Sequence, residues 1–305
     1  MNALVLGGNG FIGSHLVDRL IAEGHAVRVL DKYEEYFRKP ISGVEYCLGD
    51  FGNRGLISNA ILDIDVVFHL ISTTIPKTSN YDPVFDVQSN VVESLFLFEE
   101  CIRQRVKKIV FISSGGTVYG KPKTLPAKEG DPKYPICSYG VTKLMIEHYL
   151  FLYNQLNGLS SIIIRPSNAY GPRQNPKGNQ GIIPVFLGKL KEDEIIEIWG
   201  DGEIVRDYIY ITDLVDGIYK ATLIHTPYAI FNLGSGIGYS INDILKIINR
   251  VTGRKIKCKY LDKRLFDIPK IYLDINKAKN ELSWEPITSL DDGINKTWEF
   301  IKTCI

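Results

Sequence analysis

Residues 3–13 read Ala3-Leu4-Val5-Leu6-Gly7-Gly8-Asn9-Gly10-Phe11-Ile12-Gly13, and they are the strongest indication of the fold in this chain. The first four form an apolar run typical of a buried strand, and the pattern from Ser14 to Ala22 predicts a helix. Between them, Gly7, Gly10 and Gly13 permit a tight turn, close approach of the backbone to a diphosphate, and close packing of helix on strand. The helix N-terminus adds N–H groups and the positive end of the helix dipole. The stretch therefore predicts a phosphate-binding turn.

A second stretch, Gly49-Asp50-Phe51-Gly52-Asn53-Arg54-Gly55, has the same glycine spacing, but its context differs. Asp50 would place a carboxylate beside the diphosphate, and only a short helix fits before the next apolar run at Val66. The first stretch is instead followed by a full helix and a second strand that ends at Asp31. A carboxylate there accepts hydrogen bonds from the adenosine ribose and repels a 2′-phosphate. Asp31 therefore favours NAD over NADP, although the basic Arg28 and Lys32 lie close to it in sequence.

Alternation of strand and helix patterns sets the expected architecture. Apolar runs at 3–6, 26–30, 66–70, 108–112 and 160–165 alternate with helical patterns at 14–22, 87–103 and 139–156. This alternation predicts an α/β fold, a Rossmann doubly wound parallel sheet with helices on both faces. Residues 166–205, rich in Pro and Gly at their start, are expected to form a loop-rich insertion. We expect strands at 208–211, 229–233 and 255–260, with helices at 214–222, 241–252, 276–282 and 290–303.

The expected domains follow from the same pattern. An NAD-binding Rossmann domain covers residues 1–165, and residues 206–235 return to it. A smaller, interwoven α/β substrate lobe is formed by residues 166–205 and 236–305.

Composition excludes several classes of function. The 305 residues carry 36 basic and 35 acidic side chains, so no broad field favours nucleic acid or an anionic membrane. The chain lacks both an apolar run of the roughly 18–20 residues that a bilayer span needs and the basic start of a signal peptide. The five cysteines are odd in number and form no Cys-x-x-Cys pair, so we expect a reduced, cytoplasmic protein without a metal site.

Tyr139 and Lys143 are the candidate catalytic pair. On a helix their spacing of four places a phenol and an ammonium on one face. Lowering a phenol pKa from about 10 to about 7 takes roughly 4 kcal/mol of preferential phenolate stabilisation, which a nearby cation supplies. Tyr119 and Lys123 have the same spacing, but Gly120 and Pro122 make a helix there improbable. By spacing alone, a catalytic role for the first pair and a coincidence of two common residue types remain equally open.

Several motifs in order carry a family resemblance over essentially the whole chain. They are the Gly7–Gly13 loop, Asp31, the run Ile112-Ser113-Ser114-Gly115-Gly116-Thr117-Val118-Tyr119-Gly120, Tyr139-x-x-x-Lys143, Arg165-Pro166-Ser167-Asn168-Ala169-Tyr170-Gly171-Pro172, Arg206-Asp207-Tyr208-Ile209, Arg264-Leu265-Phe266-Asp267-Ile268-Pro269 and Leu282-Ser283-Trp284-Glu285-Pro286. Together they resemble the extended short-chain dehydrogenase/reductase superfamily. Within it the chain is most similar to NAD-dependent nucleotide-sugar epimerases, especially UDP-glucose (UDP-galactose) 4-epimerases.

The resemblance implies a role for each matching residue. Tyr139 would be the acid/base, and Lys143 would bind the nicotinamide ribose and depress the tyrosine pKa. The implied NAD-binding residues, besides that pair, are Gly7, Gly10, Phe11, Ile12, Gly13, Asp31, Lys32, Asp50, Phe51, Leu70 and Asn90. Asn168, Arg206 and Arg264 would hold the UDP diphosphate, and Asp267 would contact the uridine ribose. Without the family context, an ion pair with Asp207 or Asp267 is as good an explanation of the two arginines.

The segment after the strand at 108–112 departs from the family pattern. Related epimerases usually carry Ser or Thr where this chain has Gly115. Side chains two apart on an extended strand face the same side, so we predict that Thr117 supplies the missing hydroxyl, with Ser114 adjacent. A water working with Tyr139, or weak activity, is the alternative.

The same segment discriminates among reactions. Related 4,6-dehydratases carry Asp-Glu where this chain has Gly116-Thr117, and related decarboxylases commonly carry Glu at 117. The chain is therefore expected to epimerise C4 of a UDP-hexose through a 4-keto intermediate: Tyr139 takes the 4′-hydroxyl proton, C4′ passes a hydride to NAD⁺, and the keto sugar turns before the hydride returns. A nucleotide-sugar 4-keto reductase and a catalytically quiet NAD-binding protein are the alternatives.

Two finer expectations also rest on the resemblance. Ile271 falls where relatives gate the space at C2 of the sugar with a large Tyr, so N-acetylated hexoses would be accepted. The helices at 87–103 and 139–156 resemble those that pair in a four-helix dimer interface, so a homodimer is expected, with packing on the sheet as the alternative.

Overall fold

The computed structural model of the chain describes residues 1–178, 180–262 and 268–304. The chain divides into two compact units. The first unit comprises Met1–Gly120, Pro132–Arg165 and Val215–Phe231, and the second comprises Lys121–Asp131, Pro166–Leu214 and Asn232–Ile305. The predicted Rossmann domain included residues 121–131, 206–214 and 232–235, all of which lie in the second unit.

The strands and helices of the described residues follow in chain order. The strands are β1 (Asn2–Leu6), β2 (Ala26–Asp31), β3 (Glu45–Leu48), β4 (Val66–His69), β5 (Lys108–Ile112), β6 (Ser161–Pro166), β7 (Asn168–Tyr170), β8 (Ile196–Trp199), β9 (Val205–Tyr210), β10 (Tyr228–Leu233), β11 (Gly238–Ser240), β12 (Cys258–Leu261) and β13 (Lys270–Ile271). The helices are α1 (Phe11–Ala22), α2 (Arg54–Ala60), α3 (Pro83–Asp86), α4 (Glu93–Arg103), α5 (Ser138–Asn157), α6 (Ile182–Lys191), α7 (Ile211–Leu223), α8 (Ile241–Thr252), α9 (Asn276–Leu282) and α10 (Leu290–Cys304), and a π-helical turn, Val87–Val92, joins α3 to α4.

A seven-stranded sheet runs in the order β10-β6-β5-β4-β1-β2-β3 through the described chain. Neighbouring strands from β6 to β3 are parallel. Every residue of β4 and β6 is buried, as expected for strands covered by helices on both faces. The prediction of a doubly wound parallel sheet is confirmed. Since ligands bind at the carboxyl edge of such sheets, the loops after β1, β4 and β5 are the ones that matter for function.

The predicted single helix over 87–103 is wrong in detail. The helical segment begins at Pro83, with the Asp82 side chain accepting a hydrogen bond from Phe85 N, and it passes through the π-helical turn before α4. A π-helical turn changes the rotation of all later residues and has no hydrophobic period of its own. The sequence also leaves β3 unassigned, because β3 is a half-exposed edge strand.

The second unit is built around β9. This strand pairs with β7 and β13 in parallel and with β11 in antiparallel orientation, while β8 pairs with β12 in a separate parallel pair. The description of 166–205 as a loop-rich insertion misses three regular elements, since this segment contains β7, α6 and β8. Helix α6 escapes sequence reasoning since its N-cap is Gly181 at φ 81° with no side-chain cap, and Gly188 lies within it against Pro176.

None of the helices in the described part of the chain is both long enough and apolar enough to pass through a bilayer. No group of three His, Cys, Asp or Glu side chains in this part of the chain is arranged to hold a metal ion.

Candidate functional site

The glycine loop after β1 has the steric demands that its sequence predicts. Gly7 adopts φ +83°, a conformation that favours glycine. A Cβ at Gly13 would lie 2.0 Å from the Gly7 carbonyl oxygen, so α1 packs on the loop at a distance that no side chain allows. Gly8, not singled out from the sequence, is equally constrained, since its Cβ would lie 2.7 Å from Val29 Cγ1. The N-cap of α1, Gly10, carries no side-chain hydrogen bond to the first turn. The loop therefore presents bare backbone where a diphosphate would bind.

Asp31, at the end of β2, ties the second strand to this loop. Its Oδ2 accepts a hydrogen bond from Asn9 N at 3.0 Å, and its Oδ1 accepts one from Tyr33 N at 3.2 Å. Partial burial raises the pKa of the Asp31 carboxyl above its usual value. Lys32 is exposed and pairs with Asp50 Oδ2 at 3.1 Å, a contact of small energetic value.

The second glycine stretch is occupied by its own side chains. Asp50 Oδ1 accepts from Gly52 N at 2.9 Å, and Asn53 Oδ1 accepts from Leu56 N at 3.1 Å and so caps the seven-residue α2. Phe51 is buried, with its ring centroid 5.2 Å from that of His69. These contacts explain why this copy of the glycine spacing is a turn before a short helix, as its context predicted.

Tyr139 and Lys143 lie one turn apart near the start of α5, as predicted. The Lys143 ammonium nitrogen lies 5.7 Å from the Tyr139 ring centroid and donates to the Ile112 carbonyl oxygen at 2.9 Å. Burial lowers the pKa of Lys143 to about 8 and raises the pKa of Tyr139 above its usual value. Tyr119 belongs to a different environment, because its hydroxyl accepts a hydrogen bond from the buried Arg165 at 2.9 Å.

Thr117 lies beside the first turn of α5. A Cβ at Gly140 would meet Thr117 Cβ at 3.3 Å, so the glycine next to Tyr139 is what allows this approach. The Thr117 Oγ1 atom is buried and has no hydrogen-bond partner among the described residues. The predicted extended backbone at 115–117 is wrong, however. The chain there is turned, with Val118 N donating to the Ser114 carbonyl oxygen at 3.2 Å. Strand alternation therefore does not place the threonine, although Ser114 does lie in the same turn.

Asn90 and Leu70 hold the loop after β4. Asn90 is buried, its Oδ1 accepts from Thr73 N at 2.9 Å, and its Nδ2 donates to Asp86 Oδ1 at 2.9 Å. Leu70 N donates to the Leu6 carbonyl oxygen at 3.0 Å, which continues the sheet to the edge of the glycine loop.

Asp86 is a buried residue that sequence reasoning missed. Its carboxylate accepts hydrogen bonds from Thr74, Asn90, Ser138 and Thr142. Its sequence offers one signal, the spacing of four between Asp86 and Asn90 on a predicted helix. That spacing does not distinguish a buried aspartate from an exposed one.

The second unit contains a cavity of about 300 Å³. Asn168 and Arg206, both predicted, line it, and they are joined by apolar and aromatic residues that were not predicted, among them Phe186, Trp199 and Tyr208. Asn168 Nδ2 donates to the Asp207 carbonyl oxygen at 2.9 Å, and Arg206 Nη1 donates to the Ile268 carbonyl oxygen at 2.6 Å. In β8 the buried Ile196 and Ile198 alternate with exposed residues. This alternation is the sequence signal that could have placed Trp199 on the opposite face of the strand.

Of the other substrate residues predicted in the second unit, only Ile271 belongs to the described part of the chain. Ile271 is buried in β13, opposite Arg206 in register, and is not among the described residues that line the cavity. Arg264 and Asp267 lie outside the described residues. Asp207 does not pair with Arg206 in the way the alternative explanation required: its carboxylate is buried and accepts from Ser235 N and Leu273 N at 2.8 and 3.2 Å.

Comparison with known proteins gives consistent matches over the whole chain. The model of the NAD dependent epimerase/dehydratase family matches residues 3–234. A protein of Mycolicibacterium smegmatis named UDP-glucose 4-epimerase is 35% identical over 311 residues, covering 99% of each chain. A protein of Escherichia coli named dTDP-4-dehydro-6-deoxyglucose reductase is 36% identical over 310 residues, covering 98% of this chain and 97% of its own. The crystal structure of UDP-glucose 4-epimerase from Thermotoga maritima with UDP-glucose superimposes with a TM-score of 0.95 at 35% identity, covering 99% of each chain.

Proposed function

The chain belongs to the NAD dependent epimerase/dehydratase family, and on that premise we propose that it interconverts the C4 epimers of a UDP-hexose with NAD as its cofactor. UDP-glucose and UDP-galactose are the first substrates to test, followed by the N-acetylated pair. The observation that carries the proposal is the placement of Tyr139, Lys143 and the buried Thr117 hydroxyl at the start of α5. The resemblance inferred from the motifs is confirmed by the family match.

The residues of the first unit fit NAD. The bare backbone at Gly7, Gly10 and Gly13 accommodates a diphosphate, with Phe11 and Ile12 opening α1. Asp31, held by Asn9 N and Tyr33 N, would accept from the adenosine ribose. Asp50 and Phe51 would lie at the adenine, and Asn90, through its hold on Thr73, would shape the loop on the nicotinamide side. NAD held by these residues would supply a hydride acceptor, and later a hydride donor, for C4′ of the sugar.

Tyr139 would move the proton of the sugar 4′-hydroxyl. Burial alone raises the pKa of Tyr139, so the phenol needs a cation to become a base near neutral pH. Lys143, with a pKa of about 8, is mostly protonated at pH 7 and lies over the tyrosine ring. Its hydrogen bond to the Ile112 carbonyl oxygen fixes the ammonium in that place. The Thr117 hydroxyl, which lacks a partner among the described residues, would bind the same sugar oxygen.

The cavity of the second unit would hold the nucleotide. Its aromatic lining suits a base, and Arg206 and Asn168 supply donors for a diphosphate. Anchoring by the nucleotide would leave the hexose free to turn, which C4 epimerisation requires. The alternative, a nucleotide-sugar 4-keto reductase, is supported by the Escherichia coli relative of that name.

The test uses the purified protein with UDP-glucose and, separately, UDP-galactose, without added cofactor. We expect the 4-epimer to form with catalytic turnover, and we expect Tyr139→Phe to abolish it. Tyr153→Phe, on the same helix with its hydroxyl at the surface against Glu99, is the control and keeps activity. Product from a 4-keto sugar with stoichiometric consumption of NADH or NADPH, and none from UDP-hexoses, would replace the epimerase by the reductase. Binding of NAD with neither reaction would leave the catalytically quiet protein.

We also propose that the protein is a cytoplasmic homodimer that pairs through α4 and α5. Apolar side chains are exposed along α5, with Leu152 at 45% and Leu156 at 71% exposure. Light scattering is expected to give twice the chain mass, and Leu152→Glu with Leu156→Glu is expected to give monomers. A monomeric wild type would contradict this assembly.

A further inference from the structure

We propose that Asp86 is a positioning residue for Tyr139 and Lys143, because its buried carboxylate holds the first turn of α5 in one rotation about the helix axis. The inference rests on the proposed function, which gives Tyr139 the proton transfer. Asp86 touches neither Tyr139 nor Lys143. It holds Ser138 and Thr142, the residues that precede these two in the sequence.

The carboxylate of Asp86 joins three separate segments of the first unit. Its Oδ1 accepts from Thr74 Oγ1 at 2.6 Å, in the loop after β4, and from Asn90 Nδ2 at 2.9 Å, in the π-helical turn. Its Oδ2 accepts from Ser138 Oγ at 2.6 Å and lies 3.4 Å from Thr142 Oγ1, both on α5. The single hydrogen of the Thr142 hydroxyl is shared between Asp86 and the nearer carbonyl oxygen of Tyr139 at 2.9 Å. Asp86 is 0% exposed, and all four of these donors are neutral. A carboxylate buried in this way is stable only while its donors stay in place, so it constrains all three segments.

These contacts determine the rotation of α5. Ser138 and Thr142 are four residues apart and share one helix face, while Tyr139 and Lys143 share the face about 100° further round. Holding the first face therefore fixes where the second one points. The N-cap, Cys137, provides no side-chain hydrogen bond to the turn. Side chains of the loop after β4 take that role instead, with Tyr139 N donating to Ser79 Oγ at 3.0 Å and Ser138 N to Asn80 Oδ1 at 2.8 Å.

The charge of Asp86 also acts on the pair. It opposes the effect of burial on Lys143 and so raises the pKa of that ammonium, and it disfavours the phenolate of Tyr139. Among the described residues, Cys137 at the N-cap of α5 also acts on Tyr139, Glu147 on α5 acts on Lys143, and Lys143 in turn acts on His69 of β4. Glu147 is held by Arg165, and His69 is neutral with a pKa lowered to about 3 by burial. Removing the charge of Asp86 is therefore expected to lower the pKa of both Tyr139 and Lys143.

The experiment compares Asp86→Asn with wild type in the epimerase assay across pH. The amide has the same shape as the carboxylate, and the Ser138 and Thr142 hydroxyls can rotate to accept hydrogen bonds from its NH₂ group. We expect kcat to fall between about tenfold and a hundredfold, since a small misplacement has such effects. KM for UDP-glucose is expected to stay within about twofold, because the proposed nucleotide contacts are in the other unit. Both limbs of the pH profile of kcat are expected to move to lower pH by about one unit.

Asp82→Asn is the matched control. Asp82 lies one helical turn before Asp86, is exposed, and caps α3 by accepting from Phe85 N at 2.9 Å. It is expected to leave kcat and the pH profile unchanged. A wild-type kcat and profile in Asp86→Asn would overturn the proposal. So would a loss of activity with unmoved limbs, which would indicate a purely structural residue. If Asp86→Asn does not fold, Ser138→Ala replaces it in the assay. This variant removes one hydrogen-bond donor to Asp86, and kcat is again expected to fall.

A readout without substrate separates this inference from the proposed function. The ionisation of Tyr139 can be followed in the NAD complex as the ultraviolet difference between each protein and its Tyr139→Phe counterpart. We expect this titration to move to lower pH in Asp86→Asn. A wild type without activity on any UDP-hexose would defeat the proposed function, and the titration would still decide the role of Asp86: an unmoved Tyr139 pKa would overturn it.

Discussion

Glu147 and Arg165 form a buried ion pair in the first unit, and changing Glu147→Gln should be among the most destabilising single changes in the chain. The two side chains are 3% and 1% exposed. Arg165 donates from Nη2 to Glu147 Oε2 at 2.5 Å and from Nε to Oε1 at 3.0 Å. Ser113 Oγ donates to the same Oε1, so the carboxylate connects the ends of β5 and β6 to α5.

The magnitude follows from the burial. Replacing the carboxylate by an amide leaves the Arg165 guanidinium charged, almost inaccessible to water and without its counter-charge. Breaking a buried pair in this way costs about 3–5 kcal/mol, which is a large part of the 5–15 kcal/mol by which a domain is typically stable. An exposed pair costs at most about 1 kcal/mol. Glu23→Gln, which removes a bridge to Arg19 at 2.9 Å with the glutamate side chain 38% exposed, is therefore the matched control.

Urea unfolding followed by circular dichroism measures both variants. We expect Glu147→Gln to lower the unfolding midpoint strongly and Glu23→Gln to leave it nearly unchanged. The double variant Glu147→Leu/Arg165→Met removes both charges and is expected to be more stable than Glu147→Gln alone. Equal midpoints for Glu147→Gln and Glu23→Gln, or a double variant less stable than the single one, would refute this reasoning.

Three further predictions concern the glycine loop, the core histidine and the threonine. Gly13→Ala should abolish NAD binding in calorimetry, since its Cβ would lie 2.0 Å from the Gly7 carbonyl oxygen, whereas Gly130→Ala, with no atom within 4 Å, should bind normally; binding by Gly13→Ala would contradict the packing argument. Burial lowers the pKa of His69 to about 3, so the folded protein resists a proton that the unfolded chain takes up below about pH 6.5. Wild type should therefore lose stability as the pH falls. Between pH 6.5 and 5 we expect this loss to be about 2 kcal/mol larger in wild type than in His69→Gln. The free energies of unfolding are measured by urea titration at pH 6.5 and 5. An equal loss in wild type and in His69→Gln would show that His69 is not the cause. Thr117→Val should lower kcat about tenfold to a hundredfold while Thr117→Ser stays near wild type, and equal rates for the two would exclude a role for the hydroxyl.

The sequence predicted those parts of the site that depend on local sterics. Gly7, Gly13 and Asp31 are constrained by residues within one strand–turn–helix unit, so their spacing is sufficient. Tyr139 and Lys143 share a helix face by periodicity alone. Sequence context also distinguished the two glycine stretches and the two Tyr–Lys pairs. In the structure Asn53 of the second stretch caps a short helix, and Tyr119 of the second pair binds Arg165.

The parts that escaped prediction depend on contacts between distant segments. Asp86 receives hydrogen bonds from Thr74, Ser138 and Thr142, which are 12, 52 and 56 residues away in the chain. No local pattern identifies such a group as buried. Helix α6 has Gly181 at its N-cap and Gly188 in its interior, and these glycines suggested a loop although Ile183, Phe186, Leu187 and Leu190 recur at helical spacing. The aromatic lining of the cavity in the second unit was missed with it.

A deuterium label at C4 of UDP-glucose, followed through the reaction, is the best single test of the proposed epimerisation. Intramolecular return of the C4 hydrogen predicts UDP-galactose that retains the deuterium at C4, formed in ordinary water without added cofactor. It also predicts that Tyr139→Phe forms none, while Tyr153→Phe behaves as wild type. Failure of the wild type to form the 4-epimer of any UDP-hexose, loss of the C4 label to solvent, or full activity in Tyr139→Phe would each contradict the account.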